Sequence, residues 1–263
     1  MMGDGAVLTQ LYDYHNGWTQ VEAEVIEEAL ISLYVNGKEL AAIMATPEDL
    51  ESLAVGFLKN EGLIDTLDEI DHVHLSVKSC CVDVWLNRAS ERPERAILTP
   101  GCGNGITFRD LSVDLEPSSD DLSIRAEVLL DLLGRLHFPG SLYSRSRGVH
   151  SAGLSDGKEL LAIAEDVGQH NSLDKLLGKC MQRGIETRGR ILLATGRITS
   201  EMFLKGAMMG CPLIASRNSA TSMTVAMARN WNITLIGYVR QNSMRVYAHP
   251  ERIQSDLPLQ AGE

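Results

Sequence analysis

Three short apolar runs in the second half of the chain, RILLATG (190–196), PLIAS (212–216) and ITLIGYV (233–239), constrain the fold most. Each is nearly continuous rather than alternating, the pattern of strands buried on both faces. Helical stretches near 171–183, 200–209 and 221–230 separate them, and that alternation predicts an α/β layered sheet. Upstream, HSAGLS and KELLAIAED flank Asp156-Gly157 as a hairpin, and an apolar stripe over 123–136 reads as a helix. No internal repeat or heptad pattern is present.

The first part reads differently. Val21, Ala23 and Val25 alternate, and LISLYV and KELAAIMA flank Asn36-Gly37, so residues 21–45 are expected to form a hairpin with a two-residue turn. Thr46 as N-cap, Pro47 at the first helical position and Asp49 closing a capping box predict a helix start, with Leu50, Leu53, Ala54, Phe57 and Leu58 on its buried face. Residues 72–86 alternate like two short strands. The polar PSSDD segment (117–121) marks the boundary, giving a small α+β domain over 1–116 and an α/β domain over 117–263.

At 263 residues and 44% hydrophobic composition the chain can bury a core without disulfides or metal. Five cysteines form no evident framework, no run approaches membrane-spanning length, and the N-terminal segment lacks a basic and an apolar region. A reducing, cytoplasmic setting is the expectation, with no membrane partner. The net charge of −11 argues against nucleic acid as a partner. That average hides an asymmetry: residues 1–116 hold 7 Lys+Arg against 21 Asp+Glu, and residues 117–263 hold 17 against 14. An anionic ligand is therefore expected on the second part.

Three junctions there share one design. DVGQHNS (166–172), ATGRITS (194–200) and SRNSATS (216–222) each join an apolar run to a helix. Helix N-termini present unpaired N–H groups and a positive dipole end, and ligands of open α/β sheets gather at strand carboxyl ends. Gly196, Arg197, Thr199, Arg217, Ser219, Thr221 and Ser222 are the candidate contacts to a phosphate-bearing ligand; ordinary helix capping by Ser and Thr is the alternative. Neither a P-loop nor a G-x-G-x-x-G after a strand is present.

Cys102 lies in Pro100-Gly101-Cys102-Gly103-Asn104-Gly105. Glycines on both sides suit a thiol that another molecule must approach, although a small residue in a tight turn would read the same way. Cys180 and Cys211 sit on apolar elements and read as core. Cys80 and Cys81, with His72 and His74 nearby, could suggest zinc, but adjacent strand residues point to opposite faces, so no metal is expected. His249-Pro250-Glu251 matches half of a zinc-deaminase signature whose P-C-x-x-C half is missing. Glu165, Asp166, His170 and Asn171 cluster at one junction, either for acid–base work or as a hydrogen-bonded turn.

RGVHSAGL, EDVGQHNSLDKLLG, ATGRITSEMFLKGAMMGCPLIA, SATS, LIGYVR and VYAHPERI, in that order, with GFLKNEGLI and the GCGNG loop before them, resemble the formate dehydrogenase accessory sulfurtransferases of the FdhD/NarQ family. The resemblance runs from about residue 20 to residue 253. It implies a cytidine-deaminase-like layered α/β domain without the deaminase zinc, preceded by a smaller α+β domain. It implies a sulfur carrier whose Cys102 receives a persulfide from a cysteine desulfurase. The sulfur then passes to the metal of a molybdenum bis(molybdopterin guanine dinucleotide) client before insertion into formate dehydrogenase. Tyr238, Val239, Arg240, Gln241, Asn242 and Ser243 align with the segment assigned to that cofactor, whereas Arg240 to Ser243 alone read as a polar hairpin loop. A homodimer is implied as well.

One departure matters. Many relatives carry C-G-x-C-G in the loop, and Gly105 stands where the second cysteine would be. Cys102 then works alone, or the protein chaperones the cofactor without moving sulfur. A nucleotide-modifying hydrolase built on Asp166 and His170 is the remaining rival.

Overall fold

A computed structural model of the chain describes residues 6–76, 80–90, 93, 97–99, 105–109 and 113–256. Two helices lie between two sheets. A four-stranded sheet of order β4-β3-β6-β5 is built from β3 (Ala29–Val35), β4 (Lys38–Ala45), β5 (Ile70–Ser76) and β6 (Cys81–Leu86). Helix α1 (Leu50–Asn60) covers one face of it, burying Leu50, Leu53, Ala54, Phe57 and Leu58 against Ile31, Leu33, Val82 and Val84. Each such side chain contributes about 1.5–3 kcal/mol by leaving water.

The second sheet has six strands in the order β11-β10-β12-β13-β14-β15. These are β10 (His150–Ser155), β11 (Leu160–Asp166), β12 (Ile191–Ala194), β13 (Leu213–Ser216), β14 (Thr234–Gly237) and β15 (Arg245–Ala248). β12, β13 and β14 are parallel and wholly buried, as their continuous apolar runs predicted. Leu192, Ile214 and Leu235 face α4 (Gln169–Gln182), α5 (Ser200–Met208) and α6 (Ser222–Asn230). Ile191, Leu193, Leu213 and Ile236 face α2 (Ala126–Gly134) on the other side.

Smaller elements complete the chain. β1 (Ala6–Asp13) and β2 (Gly17–Glu24) form a separate two-stranded ribbon, β7 (Ile97–Thr99) pairs with β8 (Gly105–Thr107), and β9 (Ile124–Arg125) pairs with β16 (Ile253–Gln254). A short helix α3 (Leu142–Ser146) precedes β10.

Helices α1 and α4 cross at near-contact distance. A Cβ on Gly56 would lie 1.8 Å from the Asp174 carbonyl oxygen, and one on Gly178 would lie 2.0 Å from that of Ser52. No larger residue fits either position while the helices stay this close.

Two details of the sequence reading need correction. The hairpin comprises only residues 29–45; its turn has Asn36 at φ 51° and Gly37 at φ 74°, as a two-residue turn requires, whereas Val21 and Ala23 belong to the β1–β2 ribbon. The helix expected from Thr46 begins at Leu50 instead, after Asp49 in the left-handed region at φ 53°. Tertiary contacts claim both supposed capping groups: Thr46 Oγ1 accepts the Val167 N–H at 3.1 Å, and Asp49 Oδ2 pairs with Lys179 Nζ at 2.6 Å.

Candidate functional site

β11 is antiparallel to β10, and β10 is antiparallel to β12, so β11 and the three parallel strands end at one edge. The N-termini of α4, α5 and α6 therefore gather there. The loops after β12, β13 and β14 are tied into one ledge by backbone bonds. The Ile198 N–H donates to Ser219 O at 2.9 Å, the Thr221 N–H to Ile198 O at 3.2 Å, the Tyr238 N–H to Asn218 O at 3.1 Å and the Val239 N–H to Ser216 O at 3.1 Å. The candidate residues of 196–199, 217–222 and 238–243 are thus brought together.

Individual side chains divide into two groups. Thr199 and Thr221 do cap, their hydroxyls accepting the Met202 N–H at 3.4 Å and the Thr224 N–H at 3.3 Å. Val239 belongs to the core, and Gly196 is closed off by Gln169, whose Oε1 lies 2.1 Å from where a Cβ would stand. Arg197, Arg240, Gln241, Asn242, Ser243, Thr221 and Ser222 are exposed, while Arg217, Ser219 and Tyr238 are half-buried.

Arg217, Val239, Arg240, Gln241 and Asn242 line a cavity of about 730 Å³, walled on the far side by Leu130, Leu133 and Gly134 of α2, with Glu127 and Asp131 at its rim. Arg217 Nη2 donates to Leu133 O at 3.2 Å, and its buried Nε has no acceptor among the described residues. Burial and the neighbouring Arg240 charge push the Arg217 guanidinium down from its ordinary value, with Tyr143 opposing. Arg240 in turn donates to the Arg217 carbonyl. Tyr238, a left-handed residue at φ 50°, carries the Arg245 guanidinium 4.4 Å from its ring centroid. Beside them His137 stacks on Tyr143 with ring centroids 3.5 Å apart, and burial together with the Arg217 charge lowers its pKa to about 4. The sequence reading missed Arg245, His137 and the α2 wall. No motif marks them: Arg245 and His137 become neighbours of Tyr238 and Arg217 only in the folded chain, and α2 walls the cavity only by folding over the sheet edge.

The Asp166–His170 cluster is a joint. Asp166 is fully buried; its carboxylate accepts from the Thr46 N–H (3.1 Å), the Gly168 N–H (2.8 Å) and Asn171 Nδ2 (2.9 Å) and pairs with Lys175 Nζ at 2.6 Å. Glu165 accepts the Leu142 and Tyr143 N–H groups at the start of α3. His170 turns to the seam between α1 and α4, its Nδ1 3.0 Å from Glu201 Oε1. There Lys205 Nζ donates to both Asp174 oxygens at 3.0 and 2.9 Å, and Asn60 Nδ2 donates to Asp174 at 2.6 Å. Burial alone would lower Lys205, but Asp174, Glu201 and Glu61 hold it above the ordinary lysine range. The Asp166 bonds match the hydrogen-bonded alternative, and His170 faces Glu201 rather than Asp166.

Cys102 lies outside the described residues. The chain beyond its loop is anchored to the end of α1: Glu61 Oε2 accepts the Phe108 N–H at 2.6 Å and the Thr107 hydroxyl at 3.0 Å, and burial pushes the Glu61 carboxyl up. Cys180 and Cys211 are core residues, as read; burial raises Cys180 to about 11 and Cys211 further. Burial, with Asp83 and Glu39 nearby, raises the Cys81 thiol. Among the described residues no group of three or more His, Cys, Asp or Glu is placed to hold a metal, and no helix is long and apolar enough to cross a membrane.

Fold and ledge define an α/β protein with an arginine-lined cavity at the carboxyl edge of its larger sheet. The FdhD/NarQ family model matches residues 26–254, and the chain belongs to that family. It is 32% identical over 236 residues to the sulfur carrier protein FdhD of Staphylococcus aureus (strain MRSA252), covering 88% of this chain and 89% of that one. Its identity to the protein of the same name from Staphylococcus haemolyticus (strain JCSC1435) is 31% over 242 residues, covering 90% and 92%. A crystal structure from Desulfotalea psychrophila, described as a formate dehydrogenase accessory protein, superposes with a TM-score of 0.77 at 25% identity, covering 95% of this chain and 98% of that one.

Proposed function

We propose that this protein is a cytoplasmic sulfur carrier acting for formate dehydrogenase. Cys102 takes sulfur from a cysteine desulfurase as a persulfide. It passes the sulfur to the metal of a bis(molybdopterin guanine dinucleotide) client held against the ledge, before that client enters formate dehydrogenase; the S–S bond breaks, Cys102 leaves as its thiolate, and a thiol reductant supplies the two electrons that take the sulfur to the sulfide level. The names of the relatives support the sulfur role and the accessory role. Within the chain, the observation that carries the cofactor half is Arg217 beside Arg240 on a cavity of about 730 Å³, a volume within the range of small-molecule sites. Two guanidinium groups so close repel one another, and an anion between them relieves both. The α2 carboxylates of Glu127 and Asp131 offer acceptors to the N–H edge of a guanine, and Arg217 and Arg240 offer charge to its phosphates, with the exposed Arg197 on the neighbouring loop outside the cavity. The β11-β10-β12-β13-β14 order with three helices on one face and α2 on the other supports the deaminase-like layering of residues 117–263.

For the sulfur step, the Cys102 thiolate attacks the outer sulfur of the desulfurase persulfide. The new S–S bond forms as the donor's bond to that sulfur breaks, and the donor leaves as a thiolate. Gly105 in the place of a second loop cysteine favours one other reading, a cofactor chaperone without sulfur transfer. Intact-mass measurement after incubation with a cysteine desulfurase and cysteine separates the two. The carrier gains ~32 Da, loses it to a thiol reductant, and fails to gain it as Cys102→Ala. Unchanged loading of Cys102→Ala would move the persulfide to another cysteine and overturn the role of Cys102; no loading of the parent chain leaves only the chaperone.

A further inference from the structure

We infer that the open face of the four-stranded sheet, centred on Trp85 and His72, is the surface on which a basic sulfur-donating protein docks, an inference that rests on the sulfur-carrier reading and adds where, and by what charge, the donor is met. Helix α1 covers one face of this sheet. On the other face the strand register sets His72 across from Trp85, His74 across from Asp83, and Tyr34 beside Asp83. That face stays open to solvent: Leu30 is 57% exposed and Trp85 39%, and Ala42, His72 and His74 are exposed as well.

Trp85 is held ready for a contact. The His72 ring lies parallel to it, with 7° between the planes and centroids 5.7 Å apart, and His72 Nδ1 lies 2.8 Å from Asp71 Oδ2. The tight turn at Gly37 stands against the indole as well, since a Cβ there would lie 3.6 Å from the ring. Tryptophan is among the residues that dominate interface energies, and one already fixed by its neighbours loses little rotamer entropy on docking.

Charge gives the sign of the partner. Residues 59–88 hold six Asp or Glu against three Lys or Arg. Two of those cations are already spent, Lys59 on Asp65 at 3.2 Å and Arg88 on Glu69 at 2.9 Å. The first part as a whole holds 7 Lys+Arg against 21 Asp+Glu, and the second holds 17 against 14. A basic donor is therefore drawn to this sheet and away from the arginines of the ledge.

Position ties the face to the sulfur. Strand β8, which follows Cys102 in the chain, is fastened to the connection between α1 and β5: Glu61 accepts from Thr107 and Phe108, and the Arg109 guanidinium donates to the Asn60 carbonyl. The same connection holds Arg88, three residues beyond Trp85, whose Nη2 donates to Leu63 O at 2.7 Å. One short segment thus fixes both the strand that follows the carrier cysteine and the edge of the docking face.

Calorimetry of the full chain with a cysteine desulfurase tests the docking apart from the sulfur chemistry. The parent chain should bind at low salt and weaken as salt is added, and a lysine-rich peptide should compete. Trp85→Ala should raise the dissociation constant roughly tenfold or more. Asp71→Lys, at a side chain 68% exposed, should raise it about threefold and flatten the salt dependence, and it answers should Trp85→Ala misfold. Loading by the desulfurase should need correspondingly more donor to reach half its maximal rate, while loading by glutathione persulfide stays at the parent level in both variants. Equal affinity in the parent and both variants, binding indifferent to salt, or a parent chain that does not bind the desulfurase overturns the docking face. A parent chain that binds through Trp85 yet takes sulfur from neither donor keeps the docking face and withdraws the carrier role.

Discussion

The seam between α1 and α4 and the ledge at the carboxyl edge both gather charged side chains, but the seam is closed and the ledge is open. In the seam every cation lies against a carboxylate: Lys175 against Asp166 at 2.6 Å, Lys205 against Asp174 at 2.9 Å. Both lysines are buried, and so are their partners. On the ledge Arg217 and Arg240 adjoin one another, and neither forms an ion pair among the described residues. The most distinctive stretch of the sequence, EDVGQHNSLDKLLG, thus serves largely as a clamp, while less conspicuous arginines face the cavity. A conspicuous motif reports that a geometry is demanding, and a buried joint is as demanding as a binding site.

Three measurements break or sharpen that contrast. The largest effect belongs to the seam. Lys175→Met strands the Asp166 carboxylate without its cation, and denaturant unfolding should register a loss of about 3–5 kcal/mol. Adding Asp166→Asn to it should recover part of the loss, since the uncompensated charge is gone. An unchanged midpoint for Lys175→Met would make the seam no more than decoration.

On the ledge the same measurement should barely move, and binding should move instead. Arg217→Ala or Arg240→Ala removes one charge-assisted contact, worth about 1.5–3 kcal/mol or roughly 10–100-fold in affinity for GDP by low-salt calorimetry. Equal affinity in parent and variants would place the anion elsewhere.

The smallest effect is also the most local. His137 has its folded pKa lowered to about 4 by burial and by Arg217. A depressed folded pKa means the unfolded chain takes the proton first. The contribution of His137 to stability is therefore present above the unfolded value of about 6.5 and is lost as pH falls toward 4. NMR titration of the ring should show that pKa rise in Arg217→Ala and rise again in the parent when GDP occupies the cavity. Constancy in both cases would remove Arg217 from the electrostatics of the site.

Much of the fold was legible because burial on two faces leaves an unbroken apolar run. Ile191–Ala194, Leu213–Ser216 and Thr234–Gly237 announced parallel strands, and Asn36-Gly37 announced a turn in which both residues take positive φ. The start of α1 was misread because Thr46 and Asp49 look like local caps. Their actual partners, Val167 and Lys179, lie more than a hundred residues away. The ribbon was only half seen, since Val21 and Ala23 alternate correctly but their pairing with Thr9 and Val7 is invisible to periodicity.

The sequence by itself determined the layered α/β architecture, the positive balance of the second part and the helix-start loops, because each follows from interactions among near neighbours or from composition. Only the tertiary structure decided which polar groups are spent and which are available. It set Asp166 on Lys175, Asp174 on Lys205 and Glu61 on Thr107 and Phe108, and it left Arg217 Nε without an acceptor among the described residues, at a cavity roofed by α2. Satisfaction of a charge depends on which atoms stand within about 3 Å of it, and for Asp174, Glu61 and Arg217 those atoms come from distant parts of the chain.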